Sequence, residues 1–558
     1  MRGSAAEFVL YALRAGRGSY SLFAVRLSLF AVRCSRVAGR GSGWRGDSLQ
    51  IELHVYSIEK LIYGGDGLAR TAPGADGRSM AVFVPFVLPG EKVEADIRQE
   101  KPGFARGAVT RVVEASADRV EAGCTYFGQC GGCHYQHIAY ERQLELKAGI
   151  LRETLQRIAK IELTAEVRVH GSPPWNYRNR TRLQVRTSPE FPPQTGKTGR
   201  SGGPGFLPQT GKTGRSGGPG FPPQTGKTGR SGGPGFPPQT GKTGRSGGPG
   251  FALGYFRWGS HEFLPVRECP ISSRLINRVM GRLLEMRGLD CPAGVEEIEL
   301  FADAADERLL MWAFCGGDEQ RDSDRRDLLR WAEAIEREVP EVSGVTFFAS
   351  RRRGSREADE DDMAGDGRRL AQSGAVAIRY RTGNHEYQVS AGAFFQVNRY
   401  LIDELISVVT GNVRGNVALD LYCGVGLFSA ALAKNFHHIL AVEASQTSYD
   451  DLRQNVPANV KAVGARTEDY LKSIYDGGAR GRPELVVLDP PRSGVGKAVA
   501  RALVELGAPR VRYVSCDPAT LARDLGPLMA AGYRIEEAHL FDLFPETFHI
   551  ESVLLLER

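Results

Sequence analysis

The stretch VALDLYCGVGLFSAALA, from Val417 to Ala433, runs from an apolar strand through a G-x-G turn straight into a helix. That layout turns backbone N–H groups toward a nucleotide-like ligand at the C-terminal end of the strand. The next apolar run, ILAVEAS, ends at Glu443, 19 residues beyond Gly424, where a carboxylate can hold both hydroxyls of a ribose. Gly424, Gly426 and Glu443 therefore form one candidate cofactor pocket. Such a pocket serves NAD and S-adenosylmethionine alike, so a nicotinamide oxidoreductase and a methyl transferase both stand at this point. Strand, Gly-rich turn and helix recur to the C-terminus and predict an α/β, Rossmann-like sheet over residues 386–558.

The later strands separate the two readings. ELVVLDPPRSG brings Asp489 and two prolines to the edge where open α/β sheets bind ligands, an arrangement typical of methyltransferases that hold a flat base. VRYVSCDPATLARDL places Cys516 at a strand-to-helix turn, where a helix N-terminus lowers a thiol's pKa. FPETFHIESVLLLE sets His549 and Glu551 just before the last strand. Taken singly, Cys516 reads as a buried strand-end cysteine and Glu551 as a solvated carboxylate. Together they supply what methylation at C5 of a pyrimidine requires: a thiolate to add at C6 and activate C5, a methyl donor, and a base to remove the C5 proton. Cys423 reads as a packing residue.

Nine cysteines are too few for a disulfide scaffold, and their bunching points to metal in a reducing compartment. Cys124, Cys130 and Cys133 form C-x5-C-x2-C, and Cys269 in ECPI is a fourth candidate ligand. Four thiolates suit tetrahedral zinc or an iron–sulfur cluster; a triplet with a distant Cys-Pro favours the cluster. Ahead of them, residues 51–120 alternate short Val-rich runs with Gly and Pro turns. This predicts a small oligonucleotide-binding type of β-barrel, with Lys92, Arg98, Lys101, Arg106 and Arg111 along its later strands and turns.

Two segments stand apart from this machinery. Residues 191–250 repeat FPPQTGKTGRSGGPG four times, with Leu207 the sole variation, and are too rich in Gly and Pro to bury a core; they read as a flexible insertion in a hairpin. Residues 1–50 are Arg-rich and nearly free of acids, and read either as a transit peptide or as an extension upstream of the true start. The cations of these two segments outweigh the chain's net +7, so the body is mildly acidic and any nucleic-acid contact must be local. With 41% hydrophobic and 25% charged residues and no apolar run long enough for a membrane span, the composition is that of a multidomain globular protein.

These motifs resemble the uracil-C5 RNA methyltransferases in their long form with a TRAM module. The resemblance runs through YGGDGLAR and FVPFVLPGE, the cysteine set, FFQVN, LDLYCGVG, LDPPRSG, SCDP and FPETFHIE, over residues 51–190 and 251–558. It implies a class I methyltransferase domain at 386–558, a TRAM barrel at 51–120 and a central α+β iron–sulfur and RNA-binding domain at 121–385. It implies Cys516 as nucleophile and Glu551 as proton acceptor. Gln396, Tyr422, Glu443 and Asp489 are implied as S-adenosylmethionine contacts, and Cys124, Cys130, Cys133 and Cys269 as ligands of a 4Fe-4S cluster that is structural rather than redox-active. Arg178, Arg180 and Arg182 in YRNRTRL are then candidate phosphate contacts. Leu427 replaces a polar cofactor contact of some members, and Glu468 is the candidate acid near adenine. The implied partner is RNA, large-subunit ribosomal RNA ahead of transfer RNA, for a cytoplasmic, membrane-free monomer. An inactive iron–sulfur RNA-binding protein is the alternative of another class.

Overall fold

The computed structural model describes residues 55–74, 77–187, 251–286, 290–316, 322–350, 367–476 and 482–558. The N-terminal extension and the fourfold repeat lie outside the described residues. Leu53–Arg558 form one compact unit. No helix among the described residues is long and apolar enough to cross a membrane.

The C-terminal part is built on an eight-stranded sheet. Its strand order is Val460–Gly464, Phe436–Glu443, Gly415–Leu421, Leu485–Leu488, Arg510–Ser515, Glu551–Glu557, Arg534–Phe541 and Val167–His170. The first five run parallel, and Glu551–Glu557 lies antiparallel between its two neighbours. Both faces are covered, so the strands read as continuous apolar runs. The period of two is explicit in Leu485–Leu488. Leu485 and Val487 enter the core beneath the helices Ile402–Thr410 and Leu427–Leu432, whereas Val486 and Leu488 enter the opposite core. That second core is roofed by Tyr140–Ala159, Gly496–Leu506 and Pro518–Ala530. Each fully buried Leu or Val there contributes about 1.5–3 kcal/mol.

The segment placed by sequence in the central domain thus enters this sheet as well. Helix Tyr140–Ala159 lays Ala148, Ile150, Leu151 and Leu155 on the second core, and Val167–His170 pairs in parallel with Arg534–Phe541 as the sheet's outer strand. The remainder of the central domain is a seven-stranded sheet running from Phe263–Pro265 to Arg369–Gly374, backed by helices Arg274–Glu285 and Asp322–Glu338. The front module is a six-stranded sheet around a small core of Tyr56, Ile58, Ala69, Val82, Val84, Val87, Val93, Ala95 and Ala105.

Candidate active site

The cofactor edge is shaped by backbone strain. Tyr422, Gly424 and Gly426 all have positive φ, at 61°, 54° and 93°, which folds the chain back on itself after the strand Gly415–Leu421. A Cβ at Gly426 would lie 2.8 Å from Leu452, so only glycine fits; at Gly424 nothing stands within 4 Å of that position, which leaves open space before the backbone. The Gly424 N–H donates to Glu443 Oε2 at 2.8 Å and the Ser445 N–H to Oε1 at 2.7 Å, fixing that carboxylate beside the turn.

Three more groups complete this edge. Asp420 is wholly buried; Ser429 Oγ donates to its Oδ2, while Oδ1 has no hydrogen-bond partner. Burial, with the charges of Asp489 and Glu443, pushes Asp420 up to about 7. Burial also pushes Asp489 up to about 7, and Gln396 Nε2 donates to its Oδ2 at 3.4 Å. Burial and the charge of Glu468 hold the Tyr422 phenol protonated. An open cradle at Gly424 and an orphaned oxygen on buried Asp420, within electrostatic reach of Asp489 and Glu443, suit a cofactor that carries positive charge, as S-adenosylmethionine does. Cys423 is buried and its N–H donates to Val442 O at 3.1 Å.

The strands Arg510–Ser515 and Glu551–Glu557 pair antiparallel with Ser515 opposite Ser552. Cys516 directly follows Ser515 and Glu551 directly precedes Ser552, so both lie at the sheet end where Asp489 follows Leu488. Cys516 is half-buried and Glu551 buried. The turn that carries Cys516 is pinned locally. Asp517 caps helix Pro518–Ala530, its Oδ1 accepting from the Ala519 and Thr520 N–H groups at 2.8 Å each, and Pro518 supplies the preset φ of a first helical residue. Ser515 Oγ donates to Asp517 O at 3.0 Å, and Ser552 Oγ to Ser515 O at 3.3 Å. Behind it, buried Asp524 accepts from Val495 N–H at 2.8 Å and from Tyr513 OH at 2.9 Å, which fixes the loop after Asp-Pro-Pro.

The loop before Glu551 is held from far away. Lys147 and Asp542 form an ion pair of 2.6 Å with both side chains wholly buried, and Lys147 Nζ also donates to Phe544 O at 3.1 Å. Gln143 Nε2 donates to Glu546 Oε2 at 3.1 Å while its Oε1 accepts the Glu546 N–H at 3.1 Å. The N–H groups of His134 and Tyr135 both donate to Glu546 O, at 2.9 and 3.0 Å, and Tyr177 OH donates to Pro545 O at 3.1 Å. Glu546 has a φ of 67°, and burial pushes its carboxyl up to about 7. Burial and the nearby Arg492 hold His549 far below the usual histidine range, and burial takes His134 down to about 4, so both rings stay neutral. Gln143, Lys147, Asp542 and Glu546 were not legible as site residues; the one sequence signal is that Gln143 and Lys147 continue the four-residue row of Leu151 and Leu155 on the buried face of helix Tyr140–Ala159.

The four cysteines belong to one neighbourhood. The charges of Cys124, Cys130 and Cys269 all act on Cys133, and burial pushes Cys130 up to about 11. The Gly132 N–H donates to Cys130 Sγ at 3.4 Å, and Asn277 brackets Cys269 through its N–H at 2.8 Å and its carbonyl at 2.9 Å. Arg178 is half-buried near Cys133 and Cys269, and its buried Nε has no hydrogen-bond partner. Four neighbouring thiols with a guanidinium whose Nε is unpartnered near three of them suit an anionic thiolate-bound cluster. Among the described residues, no three His, Cys, Asp or Glu side chains are grouped so as to hold a single metal ion.

Of the arginines of YRNRTRL, Arg180 is buried against Glu299, which removes it as a phosphate contact; Arg182 also pairs with Glu299 but keeps a third of its side chain exposed, and Arg178 is half-buried. Burial raises Glu299, but the two guanidiniums more than offset this and hold it at about 2. Glu299 offsets one of the two positive charges, and Arg182 also approaches Glu297 at 3.8 Å. In the front module Lys92, Arg98, Arg106 and Arg111 pair with Glu114, Asp96, Asp66 and Glu94, with the cations still largely exposed.

Comparison with known proteins matches this architecture. A family described as tRNA (Uracil-5-)-methyltransferase matches residues 375–558, and the TRAM domain matches residues 57–110. A 23S rRNA (uracil(1939)-C(5))-methyltransferase of Halomonas elongata is 30% identical over 518 residues, covering 90% of this chain and 89% of that protein. An RNA methyltransferase of Halalkalibacterium halodurans is 28% identical over 520 residues, covering 90% and 96%. The crystal structure of Pyrococcus abyssi tRNA (uracil-54, C5)-methyltransferase with S-adenosyl-L-homocysteine superposes with a TM-score of 0.57 at 20% identity, covering 90% of this chain and 99% of that one, which shows a shared fold. With a TRAM module in front, a Rossmann-like sheet behind and a relative matched along nine-tenths of both chains, the protein belongs to the S-adenosylmethionine-dependent uracil-C5 RNA methyltransferases.

Proposed function

We propose that the protein methylates C5 of one uridine in large-subunit ribosomal RNA, with Cys516 as nucleophile and Glu551 as proton acceptor. The observation that carries this is the Ser515–Ser552 pairing, whose next residues in the chain, Cys516 and Glu551, lie at the sheet end that also carries Asp489. Bound S-adenosylmethionine supplies an electrophilic methyl group. Gln396, Tyr422, Gly424, Gly426, Glu443 and Asp489 hold and orient it. The Cys516 thiolate adds to C6 of the flipped uracil and makes C5 nucleophilic. Once C5 is methylated, Glu551 takes its proton, the C6–S bond breaks and the thiolate is restored. The ribosomal substrate is favoured by the Halomonas elongata relative, matched through the front module as well as the catalytic domain.

Cys124, Cys130, Cys133 and Cys269 would hold a 4Fe-4S cluster with a structural role, and thiols so bunched call for a reducing compartment such as the cytoplasm. The test incubates anaerobically purified protein and methyl-labelled S-adenosylmethionine with unmodified large-subunit ribosomal RNA and, separately, transfer RNA, and maps the product by mass spectrometry. Label at C5 of one ribosomal uridine is expected, and label in transfer RNA alone would overturn the substrate. Cys516→Ala should lower methyl transfer at least about a thousandfold while RNA binding persists; retained activity would remove Cys516 from the chemistry.

A further inference from the structure

We propose that Tyr63, carried by the front module, is a positioning residue for Cys516, so that this module completes the catalytic turn in addition to any grip on RNA. The proposal rests on the reading of Cys516 as nucleophile. Tyr63 OH donates to the carbonyl oxygen of Cys516 at 3.2 Å, across 453 residues of sequence. The ring is seated too: it meets Phe548 edge-on at 5.7 Å, Phe548 meets His134 at 4.6 Å, and at Gly65 a Cβ would stand 3.4 Å from both His134 and Phe548. Three parts of the chain thus close on one point. They are the front module through Tyr63 and Gly65, the cysteine motif through His134, and the catalytic domain through Phe548 and Cys516.

The hydroxyl has a definite task there. Of the carbonyls in the nucleophile turn, that of Ser515 accepts from Ser552 Oγ, and that of Asp517 accepts from Ser515 Oγ and the Leu521 N–H. The N–H groups three and four residues beyond Cys516, those of Ala519 and Thr520, donate to Asp517 Oδ1, and the Cys516 carbonyl accepts from Tyr63. Burial, reinforced by Asp517 and Cys516, keeps the phenol protonated, so it remains a donor throughout the working pH range. A donor on that carbonyl holds the peptide that aims the thiol and lessens the negative potential beside a thiolate.

Tyr63→Phe keeps the ring against Phe548 and removes only the hydroxyl. In the full chain, kcat is expected to fall about five- to tenfold, the size of one lost hydrogen bond, with KM for RNA and for S-adenosylmethionine unchanged. The pH profile for iodoacetamide alkylation of Cys516, followed on its own peptide by mass spectrometry, is expected to shift to higher pH. Unchanged kcat and an unmoved alkylation profile would overturn the proposal. So would a loss confined to KM for RNA with the profile unmoved, which would make Tyr63 an RNA contact. Because alkylation needs no RNA, the link between Tyr63 and the thiol is tested even if Cys516→Ala shows that the nucleophile lies elsewhere.

Discussion

The two segments that meet at the catalytic edge are held by opposite means. The turn at Cys516 is tied mostly to its own surroundings: Asp517 caps the helix that follows, Ser515 bonds back to Asp517, and Ser552 lies on the paired strand. The loop from Asp542 to Ile550 is tied to side chains hundreds of residues earlier: Lys147, Gln143 and Tyr177 stand 395, 403 and 368 positions away. Local caps are worth about 1 kcal/mol apiece and form as the helix forms. A wholly buried ion pair costs several kcal/mol to break on one side and exists only in the assembled fold. The Cys516 turn is therefore held chiefly by secondary structure and the loop before Glu551 by tertiary structure, so the two should respond to different perturbations.

The sharpest way to break that contrast is Lys147→Met. It leaves Asp542 buried without its counter-charge, and unfolding in denaturant should show a loss of about 3–5 kcal/mol, partly restored by adding Asp542→Asn. A loss below about 1 kcal/mol would mean that the loop does not depend on its distant partners. Glu546 sharpens the contrast through pH. Its folded value of about 7 lies above the ordinary 4.5, so its contribution to stability is full below pH 4.5 and is lost as pH rises through 7. Glu546→Gln, which cannot ionise, should flatten the decline between pH 4.5 and 7 by at most about 3 kcal/mol relative to the parent protein. Equal slopes in the two proteins would refute the assignment. The smallest effect belongs to the locally held turn: Asp517→Ala should cost about 1 kcal/mol in the same denaturant assay, with the Lys147 pair undisturbed. A loss as large as that of Lys147→Met would erase the distinction.

The same division runs through the sequence reading. The G-x-G turn, Glu443, Asp489 and the Cys516 turn were legible because each is defined by a few consecutive residues whose conformation follows from glycine, proline and cap chemistry. Arg180 was misread as a phosphate contact because its partner Glu299 lies 119 residues away. The domain assignment of residues 121–385 could not show that Val167–His170 leaves the central domain to become the outer strand of the catalytic sheet. A four-residue strand carries no mark of the sheet it will join.

By itself, then, the sequence determined the strand–turn–helix order, the sheet edge that carries Gly424, Asp489 and Cys516, and the spacing of the four thiols. Each of these depends on local backbone preference or on the spacing of side chains along one element. Only the tertiary structure decided that Lys147 and Gln143 are buried beneath the loop before Glu551, that Glu299 takes up two arginines, and that Tyr63 reaches Cys516 from the front module. Those are pairings of polar groups across long separations, and their partners come within reach only once apolar burial has brought the domains together.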